Sequence, residues 1–185
     1  MNPVRSATVG SADVVTFWRD AGADKWFAKD PEFDRLFRER FLDLHMLIAA
    51  RGRDEWMTSA EGCLALILLT DQFPRNAFRA TAHTFATDPL ARLYAREAEA
   101  AEHWCGVDLE LRPFLFLPFE HSEDLSDQEL SVRLAERVGE PFLKHAVGHC
   151  DVIRRFGRFP HRNAMLARAT TAEEARFLAD GGFAG

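Results

Sequence analysis

The stretch Leu64–Arg79, LALILLTDQFPRNAFR, decides how the chain is read. Leu64 to Leu69 is an unbroken apolar run, too short to cross a bilayer and suited to a helix buried in a core. The run ends in Asp71 and Gln72, and Pro74 is expected to break the helix, because proline lacks the amide that an interior turn needs. Arg75, Asn76 and Arg79 follow, so a buried element delivers a polar cluster. The pattern returns where Ile153, Phe156 and Phe159 lead into Pro160, His161, Arg162 and Asn163. FPRNA (73–77) and FPHRNA (159–164) read as matched corners, forming one site or one structural knot.

Outward from this run the chain reads as helix after helix. Ser11 is placed to cap a first helix holding Val14, Val15 and Trp18, closed by Gly22. Asp30-Pro31 is a second start signal, and Phe33, Leu36, Phe37, Phe41, Leu44 and Ile48 follow at helical spacing up to Gly52. Thr58 with Glu61, Ser126 with Glu129 and Thr170 with Glu173 read as capping boxes opening three further helices. Asp88-Pro89 starts another, and Pro141 begins one that ends at Phe156 before Gly157. Gly181 and Gly182 are expected to fray the last helix. Residues 112–119, aromatic and bracketed by prolines, favour a short buried helix kinked near Pro118, since no partner strand is visible. The expectation is all-α: a loose tail over residues 1–10 and a single helical domain over 11–185.

Composition sets limits on function. The 185 residues are 47% hydrophobic, enough for a substantial core, and the net charge of -6 argues against a nucleic-acid or anionic-membrane surface. No signal peptide or membrane span is visible, which points to the cytoplasm. Cys63, Cys105 and Cys150 are odd in number and widely spaced, as expected of small buried thiols rather than disulfides. Neither a phosphate loop, a nucleophile elbow nor a dinucleotide fingerprint occurs, and no cofactor is expected.

Three segments, DQFPRNAFR (71–79), FLFLPFEHSED (114–124) and HCDVIRRFGRFPHRN (149–163), resemble a bacterial family known as domain of unknown function 924. The resemblance spans nearly the whole chain. It implies an all-helical, tetratricopeptide-like right-handed superhelix of stacked hairpins and carries no established activity. Ala80 and Ala167 stand where the family pattern has Gly, and Thr170 where it has Ser.

The polar residues of these segments define two readings. In the first, Asp71, Arg75, Asn76, Arg79, Arg155, Arg158, Arg162 and Asn163 line a groove that binds a small anion or a peptide carboxylate through guanidinium forks. In the second, a hydrolase-type enzyme uses His121 or His149 as acid-base, with His161 and Glu123 as further candidates and the arginines stabilising developing charge. Each has a structural counterpart: Asp71 paired with Arg75 or Arg79, and HSED capping a helix. His145 and His149 lie four apart, but the flanking residues of a zinc enzyme are absent, so no metal is expected. The expected fold favours a binding module, while the density of His, Asp, Glu, Asn and Arg in the motifs pulls toward an enzyme, and oligomeric state is open.

Overall fold

The computed structural model describes residues 9–183, so of the tail expected at 1–10 all but Val9 and Gly10 lie outside the described residues. The described chain is all-α, without a strand. It divides into two compact units, one running to Arg79 and resuming over His83–Pro118, the other comprising Ala80–Ala82 and everything from Phe119 onward.

The first unit contains α1 (Ser11–Ala21), α2 (Ala23–Trp26), α3 (Pro31–Ala49), α4 (Ala60–Ile67), α5 (Phe73–Ala77) and α6 (Asp88–Ala100). α4 packs on α1 and α6, while α3 packs on α5. Trp18, Phe37, Phe41 and Leu64 to Leu69 are all buried, and Trp18 meets Phe114 edge to face at 5.3 Å. Asp30 caps α3 as expected, accepting from the amides of Glu32 and Phe33. That helix ends at Ala49, before Gly52, because Arg51 already takes the left-handed backbone at φ 65°. Gly52 supplies close approach instead: a Cβ there would lie 2.9 Å from the Leu47 carbonyl.

Pro74 does not break the central helix. The helix passes through it, because residues 68–72 widen into a π-helical turn, with the Phe73 amide reaching back to the Leu68 carbonyl, and continues to Ala77. Proline can return no N–H to Leu69 O or Thr70 O, the carbonyls five and four residues before it. Side chains take over. His45 Nδ1 lies 2.8 Å from Leu69 O, and Thr87 Oγ1 donates to Thr70 O at 2.6 Å. Arg75 donates to Asp71 O at 2.8 Å and Asn76 to Gln72 O at 2.9 Å. Four consecutive buried carbonyls are thus satisfied, as burial demands. Thr87→Val is expected to destabilise the protein by about 1 to 3 kcal/mol, since it keeps the shape and strands Thr70 O. Chemical denaturation checks this, with Thr87→Ser close to wild type. An unchanged midpoint for Thr87→Val would mean that water replaces the hydroxyl without loss.

The 109–120 region is helical, as a 3-10 helix over Leu109–Leu115 and then α7 (Leu117–Glu120). The break falls at Phe116, not at Pro118, which sits in the first turn of α7 where its missing amide costs nothing.

In the second unit α8 (Leu125–Ala135) packs on α9 (Phe142–Phe156), and α10 (Ala172–Ala179) closes the chain. Several other helix starts differ from those read in the sequence by one or two residues. Gly10, not Ser11, is the N-cap of α1. Ser59, not Thr58, caps α4, accepting from Gly62 N at 3.1 Å, while Thr58 turns back to Glu55 O. Asp124 caps α8 in place of Ser126, and Pro141 precedes α9 as its N-cap. In α10 the tandem Thr170-Thr171 and Glu173-Glu174 offer two registers of one box, and the chain uses Thr171 with Glu174. That register buries Glu174 against Arg158 at 2.7 Å and leaves Glu173 for Arg155 at the surface.

The end of α10 is ordered rather than frayed. Gly181 N bonds Leu178 O and Gly182 N bonds Phe177 O, with Gly181 at φ 79°, which is a Schellman motif. Ala80 and Ala167 both take the left-handed backbone, at φ 60° and 53°, which is the conformation that favours Gly at these positions. Cys63 and Cys150 are buried, but Cys105 is exposed, against expectation. No described helix is long and apolar enough to cross a membrane.

Candidate functional site

In the first unit the FPRNA corner is a closed network. Asp71 is fully buried at the π-helical turn, where Gln72 Nε2 donates to it at 2.7 Å and Arg75 Nη1 lies 3.1 Å away. Asp88, the first residue of α6, takes the same guanidinium at 2.9 and 3.2 Å. Burial works against the Arg75 charge, but Asp71 and Asp88 outweigh it and hold the cation above its ordinary pKa. Arg79 forks onto Asp34 at 2.6 and 3.0 Å and also reaches Ala28 O and Asn76 Oδ1. Every polar group named in this corner therefore has a protein partner. Asp34 and Asp88, on α3 and α6, could not be matched to these arginines by spacing along the chain.

In the second unit the arginines divide similarly. Arg155 meets Glu173 at 3.0 Å, and Arg158 forks onto Glu174 at 2.7 and 2.9 Å. Asn163 Nδ2 points to Thr170 Oγ1 and Glu174 Oε2, each at 3.3 Å, while its buried Oδ1 has no hydrogen-bond partner. Glu123 is engaged within the fold. Its carboxylate accepts from the Phe159 amide at 2.9 Å and from Arg168 at 2.8 Å, and these bonds overcome burial to depress its pKa. Asp124 is the cap of α8, and Ser122 donates to Asp127. Ser122, Glu123 and Asp124 of HSED thus all take part in the local structure.

A second group of side chains gathers on the ring of Phe159, itself fully buried. The Arg162 guanidinium stacks over it at 4.4 Å, and the rings of His149 and His161 each pack on it at 5.6 Å. Phe183 completes the set, 4.2 Å from His149 and 5.1 Å from His161. Under His149 lies Glu120, a buried carboxylate 3.1 Å from Nδ1. That nitrogen is also 2.8 Å from the His145 carbonyl. A backbone carbonyl only accepts, so the proton sits on Nδ1 and Nε2 carries the lone pair. Burial lowers the His149 pKa to about 3, with the charges of His121, Arg162 and His145 acting in the same direction. The structure thus joins His149, His161 and Arg162 around one ring and assigns Glu123 and Asp124 elsewhere. Sequence reading passed over Glu120, although a lone acid closing the apolar run FLFLPF is an anomaly that could have flagged it. Among the described residues no three His, Cys, Asp or Glu side chains converge as a metal site would need.

The comparisons agree with this architecture. Residues 14–182 match the family model described as bacterial protein of unknown function, DUF924. A solved structure of a protein of unknown function from Agrobacterium tumefaciens is similar at 51% sequence identity and a TM-score of 0.91, covering 92% of this chain and 97% of that one. No curated protein matches. The family model covers nearly the whole chain and the Agrobacterium structure shares its fold, so the chain belongs to the bacterial DUF924 family.

Proposed function

We propose that the protein is a binding module whose site is the Phe159 cluster of the second unit, and that its ligand is a small organic anion carrying a hydrogen-bond donor. Hydroxy acids and peptide carboxyl termini have this chemistry. The observation that carries the reading is the fixed tautomer of His149, with Nδ1–H held by Glu120 and His145 O, which leaves Nε2 as a neutral acceptor. Arg162, nearly buried and braced on the Phe159 face, supplies the positive charge for the anionic group. In this reading Arg75, Arg79, Arg155 and Arg158, with Asp71, Asn76 and Asn163, form the scaffold.

Anions compared at constant ionic strength test it, with chloride as the control for general salt effects. Glycolate and acetate differ by one hydroxyl donor, so glycolate is expected to stabilise the fold more. A site ligand contributes about 2.7 kcal/mol at a hundredfold excess over Kd. Arg162→Gln is expected to abolish both shifts, and His149→Phe only the advantage of glycolate. Arg75→Gln lowers stability yet keeps both shifts. Equal shifts for wild type and all variants would remove the anion site.

An acid-base enzyme is the second reading, favoured by the same Glu120–His149 contact. A general base works best with a pKa near the working pH, whereas His149 is held far below it. Proton NMR of the His149 ring decides between them: no titration between pH 5 and 8 supports the acceptor role, and a midpoint near 7 supports the base.

A further inference from the structure

The ring of Phe183 reaches the cluster by way of two glycines built for that path. Gly181 holds the left-handed backbone that turns the chain out of α10, and Gly182 lies flat on Phe177, where a Cβ would stand 2.5 Å from the Phe177 carbonyl and 2.6 Å from its ring. The two amides close the Schellman bonds, so the turn is fixed in direction. Its outer side is open: Gly181 and Gly182 border a surface depression of about 660 Å³ together with Arg155, Arg176 and Phe177. From this turn Phe183 meets His149 at an interplanar angle of 61° and His161 at 81°, edge to face in both cases. Such geometry is what an aromatic guest adopts against ring walls. The Phe183 ring thereby touches both imidazoles and also approaches Phe159, at 6.1 Å.

We infer that Phe183 is a tethered occupant of the ligand site, standing where an aromatic ring of the ligand binds. The inference rests on the Phe159 cluster being the site and adds the ligand class, an aromatic acid. His149 and His161 form the walls, Phe159 the floor, and the strap from Gly181 swings out over the neighbouring depression when the ring is displaced. Binding then carries a conformational tax: a site open about one-tenth of the time binds about tenfold more weakly than its open form.

Mandelate and glycolate, which share the hydroxy-acid group and differ by a phenyl ring, are the probes. Phe183→Ala is expected to bind mandelate about tenfold more tightly than wild type while its affinity for glycolate stays the same. In the wild type, mandelate is expected to abolish the nuclear Overhauser contacts between Phe183 and His149. Gly182→Ala, which forces the strap off Phe177 without touching the ring, is expected to raise mandelate affinity as well. This second variant keeps the test valid should Phe183→Ala unfold. Unchanged or weaker mandelate affinity in folded Phe183→Ala or Gly182→Ala, or contacts that persist at saturation, overturns the tethered-occupant role. Loss of Arg162 separates the two levels: if Arg162→Gln still takes mandelate by displacing Phe183, the ring site stands and the anion reading falls.

Discussion

Asp71→Ala is expected to lower stability by about 3 kcal/mol, at the low end of the range for breaking a buried ion pair. The low end follows from the geometry. Asp71 is inaccessible and close to Arg75, but Asp88 holds the same guanidinium at 2.9 and 3.2 Å and still neutralises it when Asp71 is gone. What is stranded is Gln72 Nε2, which donates to Asp71 at 2.7 Å, together with the space the carboxylate filled. For a chain of this length the loss corresponds to a fall in Tm of roughly 6 to 12 °C. Asp88→Ala in the Asp71→Ala background is expected to cost more than it does alone, because only then is Arg75 left without a counterion, and a double-mutant cycle reads that coupling. A Tm within a degree of wild type for Asp71→Ala would show that water reaches the turn and the network contributes little.

The same corner shows how far the sequence could be read. Apolar spacing located the helices, and Asp30-Pro31 marked a start correctly, because both signals are local. Pro74 misled because its effect is decided elsewhere. A proline ends a helix only when the carbonyls it abandons find no other donor, and here His45 and Thr87, from α3 and the start of α6, provide them. Nothing in residues 64–79 reports those two side chains. The capping boxes failed more mildly. Ser, Thr and Asp compete for one role within a few positions, and the register that wins is the one whose neighbour can be buried, as with Glu174 against Arg158 and not Glu173.

The site was legible in its residue types and illegible in its pairing. His149, His161 and Arg162 were candidates from the sequence, and they do converge on Phe159. Glu123 was an acid-base candidate from the sequence, yet its carboxylate anchors the Phe159 amide 36 residues along the chain. The carboxylate beneath His149 is Glu120, brought there by the packing of residues around α9 that spacing does not encode.

Acid should expose the buried imidazole directly. The unfolded His149 takes up a proton near its ordinary pKa of 6.5, whereas the folded one resists until about pH 3. The hydrogen bond to the His145 carbonyl opposes this depression, but burial dominates, so the direction is downward. A group depressed in this way contributes stability that is fully present above pH 6.5 and is lost as pH falls, because the unfolded chain then binds the extra proton. His45, lowered mainly by burial, acts in the same direction. The depressed carboxylates of Glu123 and Glu174 follow only below their ordinary 4.5, with Glu174 retaining its charge to about pH 2. The interval from pH 6.5 to 4.5 therefore belongs to the histidines. Over it, His149 alone is expected to remove about 2 kcal/mol of unfolding free energy. His149→Phe, which keeps a ring between Phe159 and Phe183 and cannot titrate, is expected to flatten the profile by that amount while leaving the His45 slope. Urea unfolding at pH 6.5, 5.5 and 4.5 measures both slopes. If wild type and His149→Phe run parallel across that interval, the imidazole is protonated as readily in the folded protein as outside it, and the neutral-acceptor role of His149 falls with the prediction.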